Sequence, residues 1–170
     1  MQFIPFIFDA EQNRVAVTIV PMSQQDVAQT TISPEWQTAW NSDYLNQPNY
    51  QCYAVKNGTE LVALGAYEAL DDILVVHIIY MEAQPESNPT MTYGEKKYTG
   101  IGRLLIAYGI KLSVDCGFAG DVVLEAKTTE LARHYIKDFG AVILPQFRYA
   151  APRLMIADDA AKEIFCSYLE

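Results

Sequence analysis

A chain of 170 residues with 51% hydrophobic and 19% charged residues has room for one compact domain with a real core, and its composition argues against a disordered chain. A net charge of −9 works against broad contact with nucleic acid, because each phosphate contact needs a cation to neutralise it. Cys52, Cys116 and Cys166 are widely separated, form no CxxC pair and stand beside only two histidines, so neither a disulfide framework nor a metal site is expected. The opening MQFIPFIFDAEQNR lacks the basic and long apolar regions of a signal peptide, and no run reaches the length of a membrane span. The expectation is one domain over residues 1–170, cytoplasmic, with reduced thiols, no membrane partner and no nucleic-acid partner.

Arg14–Val20 alternates and is rich in β-branched residues, which predicts a strand stopped by Pro21. Ser33, Pro34 and Glu35 read as the start of a helix to Leu45, with Ser33 as N-cap and Pro34 at the first helical position. Trp36, Trp40 and Tyr44 then recur at helical spacing, a stripe that reads as core packing, with a pocket lining as the alternative. Tyr50–Lys56 and Glu60–Leu70 flank Asn57-Gly58, whose tolerance of positive φ predicts a tight hairpin. After Asp71-Asp72, the run Ile73–Glu82 is too apolar to have one face in water and belongs in the middle of a sheet.

Residues 83–98 carry Pro85, Pro89 and Gly94 and read as a long loop, of the kind that often serves function. Ile101–Cys116 has helical periodicity and stops at Gly117. Asp121–Ala126 reads as a strand, Thr128–Phe139 as a helix closed by Gly140, Ala141–Leu144 and Arg153–Ile156 as strands, and Asp158–Leu169 as a last helix. Three antiparallel strands feeding a helix and then a parallel neighbour make an α/β (α+β) architecture, with a mixed central sheet of about six to seven strands flanked by helices.

Lys96, Lys97, Tyr98, Thr99, Gly100, Ile101, Gly102 and Arg103 stand where the long loop meets a helix N-terminus. Unpaired N–H groups and partial positive charge make such a terminus an anion site, and glycine lets backbone approach the anion closely. Three of only twelve cations cluster here. The alternative is a tight turn before a helix; the segment is neither a GxGxxG fingerprint nor a P-loop.

Lys97 to Gly102 resembles the acetyl-CoA pyrophosphate loop of the GCN5-related N-acetyltransferases: Gln or Arg, two free positions, Gly, one free position, then Gly or Ala. Lysine at the first position departs from the pattern. Leu131–Ala141 is similar to the helix-to-strand segment of the same family, with Tyr135 and Gly140 at matching positions. Ala141 replaces the usual aromatic, and Thr128 or Thr129 stands where an Asn is usual. The resemblance covers Tyr50 to about Leu144 well and the ends in outline.

The resemblance implies transfer of acetyl from acetyl-CoA, a co-substrate used without metal, to a primary amine by direct attack in a ternary complex. Backbone N–H groups from Tyr98 to Gly102 would cradle the pyrophosphate, with Lys97 and Arg103 adding charge and Thr128 in the place of the Asn. Met81, Glu82 and Ala83 would hold the pantetheine arm and acetyl carbonyl, and Tyr135 would act as general acid toward the sulfur. For the general base the candidates are Glu82, then Glu125, then Glu68. His77 reads as a satisfied core or sheet-surface histidine.

The acceptor is unknown; the net charge and Glu82, Glu86 and Glu95 favour a small cationic amine, with a peptide amine also open. A homodimer through the C-terminal strand and helix is compatible with the pattern. The competing function is a non-catalytic acetyl-CoA sensor or interaction module of the same fold.

Overall fold

The computed structural model describes residues 1–145 and 151–170. Its elements in chain order are β1 (Phe6–Asp9), β2 (Arg14–Ala16), β3 (Thr18–Pro21), α1 (Gln24–Gln29), β4 (Gln51–Asn57), β5 (Glu60–Leu70) and β6 (Val75–Ala83). A 3-10 turn at Pro85–Ser87 leads to β7 (Tyr98–Thr99), α2 (Ile101–Asp115), β8 (Val122–Glu125), α3 (Thr129–Phe139), β9 (Val142–Ile143), β10 (Arg153–Ile156) and α4 (Asp158–Cys166). Among the described residues the strands form a small sheet, β2-β1-β7, and a seven-stranded sheet in the order β3-β4-β5-β6-β8-β10-β9. β6 and β8 pair in parallel, whereas β3–β4, β8–β10 and β9–β10 are antiparallel, which is the mixed sheet expected.

The chain divides into two compact units, Met1–Ala66 with Tyr80–Leu105 and Glu170, and Tyr67–Ile79 with Ile106–Leu169. In the first, Ile7, Trp40, Val55, Leu61 and Leu64 are buried. In the second, Ile106, Ile110, Leu124, Leu154, Ile156 and Ile164 are buried. No helix among the described residues is long and apolar enough to cross a membrane.

Several elements differ from the sequence reading. The strand expected at Arg14–Val20 is two strands broken at the buried Val17, and Pro21 ends β3 as its last paired residue, opposite Tyr53. β1 and α1 carry no sequence expectation, and Tyr98, expected to end the long loop, instead opens β7, which pairs with β1. α1 forms because Ser23 Oγ accepts the Asp26 N–H at 3.2 Å while the Asp26 carboxylate accepts the Ser23 N–H at 2.8 Å. Asp26 is buried and also meets Lys56 Nζ at 2.9 Å. Burial alone would raise its pKa, but the Ser23 and Lys56 bonds outweigh that and hold it below the ordinary value.

The helix expected at Ser33–Leu45 does not form. Its Trp36 N–H donates to Thr30 O, and its Gln37 and Thr38 N–H groups donate to the Glu82 carboxylate instead of to helical carbonyls. Trp36 and Trp40 are buried as expected of core residues, while Tyr44 is 57% exposed. Ile73 and Leu74, expected to open the central strand, lie in an exposed turn before β6. The β4–β5 turn uses Gly58-Thr59, one residue later than expected.

α3 starts one residue later than expected because Thr128 is its N-cap, with Oγ1 accepting the Leu131 N–H at 3.1 Å. It ends at Gly140, whose φ is +67° and where a Cβ would lie 2.9 Å from Ala160 Cβ on α4. Gly140→Ala therefore combines a left-handed backbone with overpacking, and we expect a loss of about 2–3 kcal/mol of stability. Urea denaturation checks this: the midpoint should fall with an unchanged slope.

Candidate functional site

Helix α2 begins in the first unit at Ile101, directly after the short strand β7, which pairs with β1 through Phe8↔Thr99 and Asp9↔Tyr98. Gly100 is required between them. Its φ is +81°, and a Cβ there would stand 3.2 Å from the Phe8 ring. Gly100 O accepts the Leu104 N–H at 3.1 Å, while the N–H groups of Ile101, Gly102 and Arg103 meet no acceptor among the described residues. Gly102 is exposed, and a Cβ on it would meet nothing within 4 Å. The start of the helix is thus an uncapped, sterically open set of donors carrying the positive end of a 15-residue helix dipole.

The expected cations are placed differently from one another. Lys97 Nζ is ion-paired to Glu60, and Tyr98, itself buried, donates its hydroxyl to the other oxygen of Glu60 at 2.6 Å. Asn57 Nδ2 donates to the Tyr98 hydroxyl at 3.1 Å, and Ser87 Oγ accepts the Tyr98 N–H at 3.1 Å. Burial would raise the Glu60 pKa, but the bonds from Lys97, Tyr98 and Gln84 outweigh it and keep the carboxyl below its usual range. The bond to Glu60 raises Lys97. Burial, then the bond to Glu60, raises Tyr98. This network fixes the loop from inside and commits Lys97 to Glu60, beside N–H groups at the start of α2 that have no acceptor among the described residues.

Glu82, near the end of β6, is only 4% exposed. Its carboxylate accepts from Gln37 N at 2.7 Å, Thr38 N at 3.2 Å and the Trp40 indole Nε1 at 3.1 Å. Beside it, the Tyr80 hydroxyl shares a 2.8 Å hydrogen bond with Thr38 Oγ1, and the Tyr80 ring meets Trp40 edge-on at 5.6 Å. Burial, with a smaller contribution from the Glu82 charge, raises the Tyr80 pKa. Glu82 therefore stands as an acceptor committed to N–H donors, an arrangement that anchors residues 36–40. A cavity of about 200 Å³ in the same unit is lined by Trp36, Leu61, Glu60, Gln84, Pro85 and Glu86, among others.

In the second unit, the β6–β8 ladder runs Val76↔Val122, His77↔Val123 and Ile78↔Leu124. Glu125 follows, and its carboxylate joins two neighbouring strands: Oε2 lies 2.6 Å from His77 Nε2, and Oε1 receives Arg153 Nε at 3.0 Å and its terminal nitrogen at 2.9 Å. Burial raises the Glu125 pKa, but the His77 and Arg153 interactions outweigh it and lower the carboxyl below its ordinary 4.5. His77 is thus held by a carboxylate, a partnership that strand register creates and the sequence reading lacked.

Tyr135 is buried on α3 among Phe139 at 6.2 Å and His134 at 5.9 Å. Its hydroxyl makes no hydrogen bond with a described residue, and burial pushes its pKa up to about 12. His134, next to it, pairs with Asp138 at 2.5 Å on the exposed side. Thr128 uses its hydroxyl oxygen as the α3 cap. Glu68 lies on β5, half-buried.

Two outcomes follow from these placements. Glu82→Gln leaves buried N–H donors facing an amide in place of a carboxylate, and we expect a loss of about 2 kcal/mol in chemical denaturation. Because the folded-state pKa of Glu125 is depressed, its contribution to stability is full above the unfolded value and is lost as pH falls through the lower folded value. A stability–pH curve measured downward from 4.5 should therefore be flatter for Glu125→Gln than for the native chain.

No family model matches the chain, and no curated protein matches it. Solved structures do. The ribosomal-protein-S18-alanine N-acetyltransferase from Escherichia coli is 14% identical, with 84% of this chain and 95% of that one covered at a TM-score of 0.55. RimJ from Mycobacterium smegmatis, in complex with CoA-disulfide, is 11% identical, with 98% and 94% covered at 0.58. A chimera of the spermidine N-acetyltransferase SpeG from Vibrio cholerae and hSSAT is 12% identical, with 88% and 98% covered at 0.55. The likeness spans nearly the full length of each neighbour at identities too low to carry residue roles. With its mixed seven-stranded sheet and the glycine-flanked start of α2, the chain has the fold of the GCN5-related N-acetyltransferases.

Proposed function

We propose that this chain is an acetyl-CoA-dependent N-acetyltransferase that moves the acetyl group to a primary amine by direct attack in a ternary complex. The observation that carries the reading is the open start of α2: three N–H groups without an acceptor among the described residues, behind a glycine whose φ admits no other residue easily, in a fold shared with acetyltransferases. Those N–H groups suit a pyrophosphate, with Tyr98, Thr99 and Gly100 shaping the approach and Arg103 adding charge. Lys97 acts through its pair with Glu60, holding the loop rather than reaching for the anion.

Met81, Glu82 and Ala83 supply backbone groups from β6, which runs on past the last β6–β8 pair at Ile78. Acetyl-CoA brings the thioester acetyl group; what the protein must supply is orientation, a donor for the developing oxyanion and a proton for the leaving thiolate. Tyr135 suits the last task. At a pKa of about 12 it is protonated at neutral pH, and its hydroxyl is not committed to another described residue. Thr128 takes the place of the family's usual Asn but spends its oxygen on the α3 cap, leaving its O–H proton to donate.

The acceptor we favour is a cationic amine, attracted by the net charge of −9 and by the exposed Glu86 and Glu95. Glu82 adds nothing to this attraction, because its charge is buried against N–H donors. One neighbour is named for spermidine and another for the alanine of a ribosomal protein. Both are amines to try here.

Calorimetric titration with acetyl-CoA tests the site. The native chain should bind, and Gly102→Glu, placed where space is open and folding is spared, should bind at least about tenfold more weakly, a loss of about 1.4 kcal/mol. Absence of binding by folded native protein would refute the reading. Tyr135→Phe should keep acetyl-CoA affinity and lose about a hundredfold in kcat with a responsive amine. A native chain that binds acetyl-CoA yet acetylates no amine in a broad panel would be a sensor instead.

A further inference from the structure

Three neighbouring strands of the sheet carry one row of polar side chains: His77 on β6, Glu125 on β8 and Arg153 on β10. Strand geometry explains the row. Parallel pairing sets His77 opposite Val123, and Glu125, two residues on, shares the Val123 face of β8. Antiparallel pairing sets Arg153 directly opposite Glu125. Exposure falls along the row, from 42% for Arg153 and 31% for Glu125 to 16% for His77.

An ionised carboxylate only accepts, so at 2.6 Å the neutral imidazole carries its proton on Nε2 and donates it to Glu125. That leaves a lone pair on Nδ1, which meets no donor among the described residues. We propose that His77 is the general base of the acetyl transfer, taking the acceptor's proton at Nδ1, with Glu125 as the positioning residue and Arg153 orienting Glu125. This rests on the acetyltransferase reading above.

The step balances. Nδ1 takes one proton from the ammonium form of the acceptor, and the freed amine forms the new N–C bond. The C–S bond then breaks, and the second nitrogen proton leaves as the thiolate gains one through the Tyr135 hydroxyl. One proton on His77 passes to solvent, and the carboxylate offsets the imidazolium charge in the meantime.

The test uses the full chain in two readouts. Nitrogen-15 NMR of histidine-labelled protein at about pH 8.5, where free imidazole is neutral, reports the tautomer, with His134→Gln assigning the second of the two histidines. The Nε2–H form is expected; the Nδ1–H form overturns the proposal whatever the activity. Turnover of spermidine, a lysine peptide and an alanine peptide is followed by chromatographic detection of CoA, since the exposed Cys116 and Cys166 would consume thiol reagents. His77→Gln, or His77→Asn if that variant does not fold, should lower kcat by about a hundredfold or more while calorimetric acetyl-CoA affinity is kept. Glu125→Gln should lower kcat and disturb the tautomer, which a merely structural carboxylate would not do, and His134→Gln should do neither. Native protein that turns over while His77→Gln stays within about twofold overturns the base assignment alone. Native protein that acetylates none of the amines overturns the base together with the function it serves.

Discussion

A carboxylate buried near the end of a central strand must find donors or not be there, and Glu82 finds three. That requirement organises much of the first unit. Gln37 and Thr38 give their N–H groups to Glu82, which withdraws them from any helix, and the Trp40 indole follows with its own N–H. Trp40 is thereby drawn to 1% exposure, with the Tyr80 ring against it and the Tyr80 hydroxyl on Thr38. A single acidic side chain converts a helix-like stretch into an irregular segment locked at several points. Such networks are worth their desolvation only when every member is satisfied, which is the state observed around Glu82.

The short parallel ladder between β6 and β8 is the second constraint. Three residue pairs suffice to bring His77 and Glu125 together, and β6 then continues to Ala83 beyond the last pair. Parallel strands fix diagonal neighbours two residues apart, so a histidine that looks like filler within an apolar strand acquires a carboxylate partner. Arg153 completes the row through an antiparallel pair, and Glu125 is held ionised by both.

The loop before α2 obeys a different economy. In a chain of net charge −9, cations are readily captured by carboxylates, and Lys97 is held by Glu60 in this way. In the proposed function anion binding then falls to backbone N–H groups, whose direction is set by the helix and whose number does not depend on side-chain identity. Lysine in place of the usual glutamine or arginine is therefore a modest change, because what the position contributes here is a tether to Glu60 and, through it, to Tyr98 and Gln84.

Periodicity and punctuation in the sequence determined most of the second unit. The α2 and α3 helices, their glycine stops, β8 and the whole of β10 lie within a residue or so of where pattern places them, because Gly117, Gly140 and the apolar repeat act locally. The mixed α/β order and the glycine turn before α2 were legible for the same reason. A short-range signal was present but passed over at Ser23–Asp26, where a capping box opens α1. What pattern could not supply is what depends on residues far apart in the chain. Ser33–Leu45 has a helix's stripe and start signal, yet the Glu82 carboxylate, 44 positions from Thr38, takes the N–H groups a helix would need. The alliance of His77 with Glu125 spans 48 positions and exists only through strand register. Local propensities are worth tenths of a kcal/mol per residue, whereas leaving a buried charge or donor unmatched costs whole kilocalories, so where the two compete the tertiary structure decides.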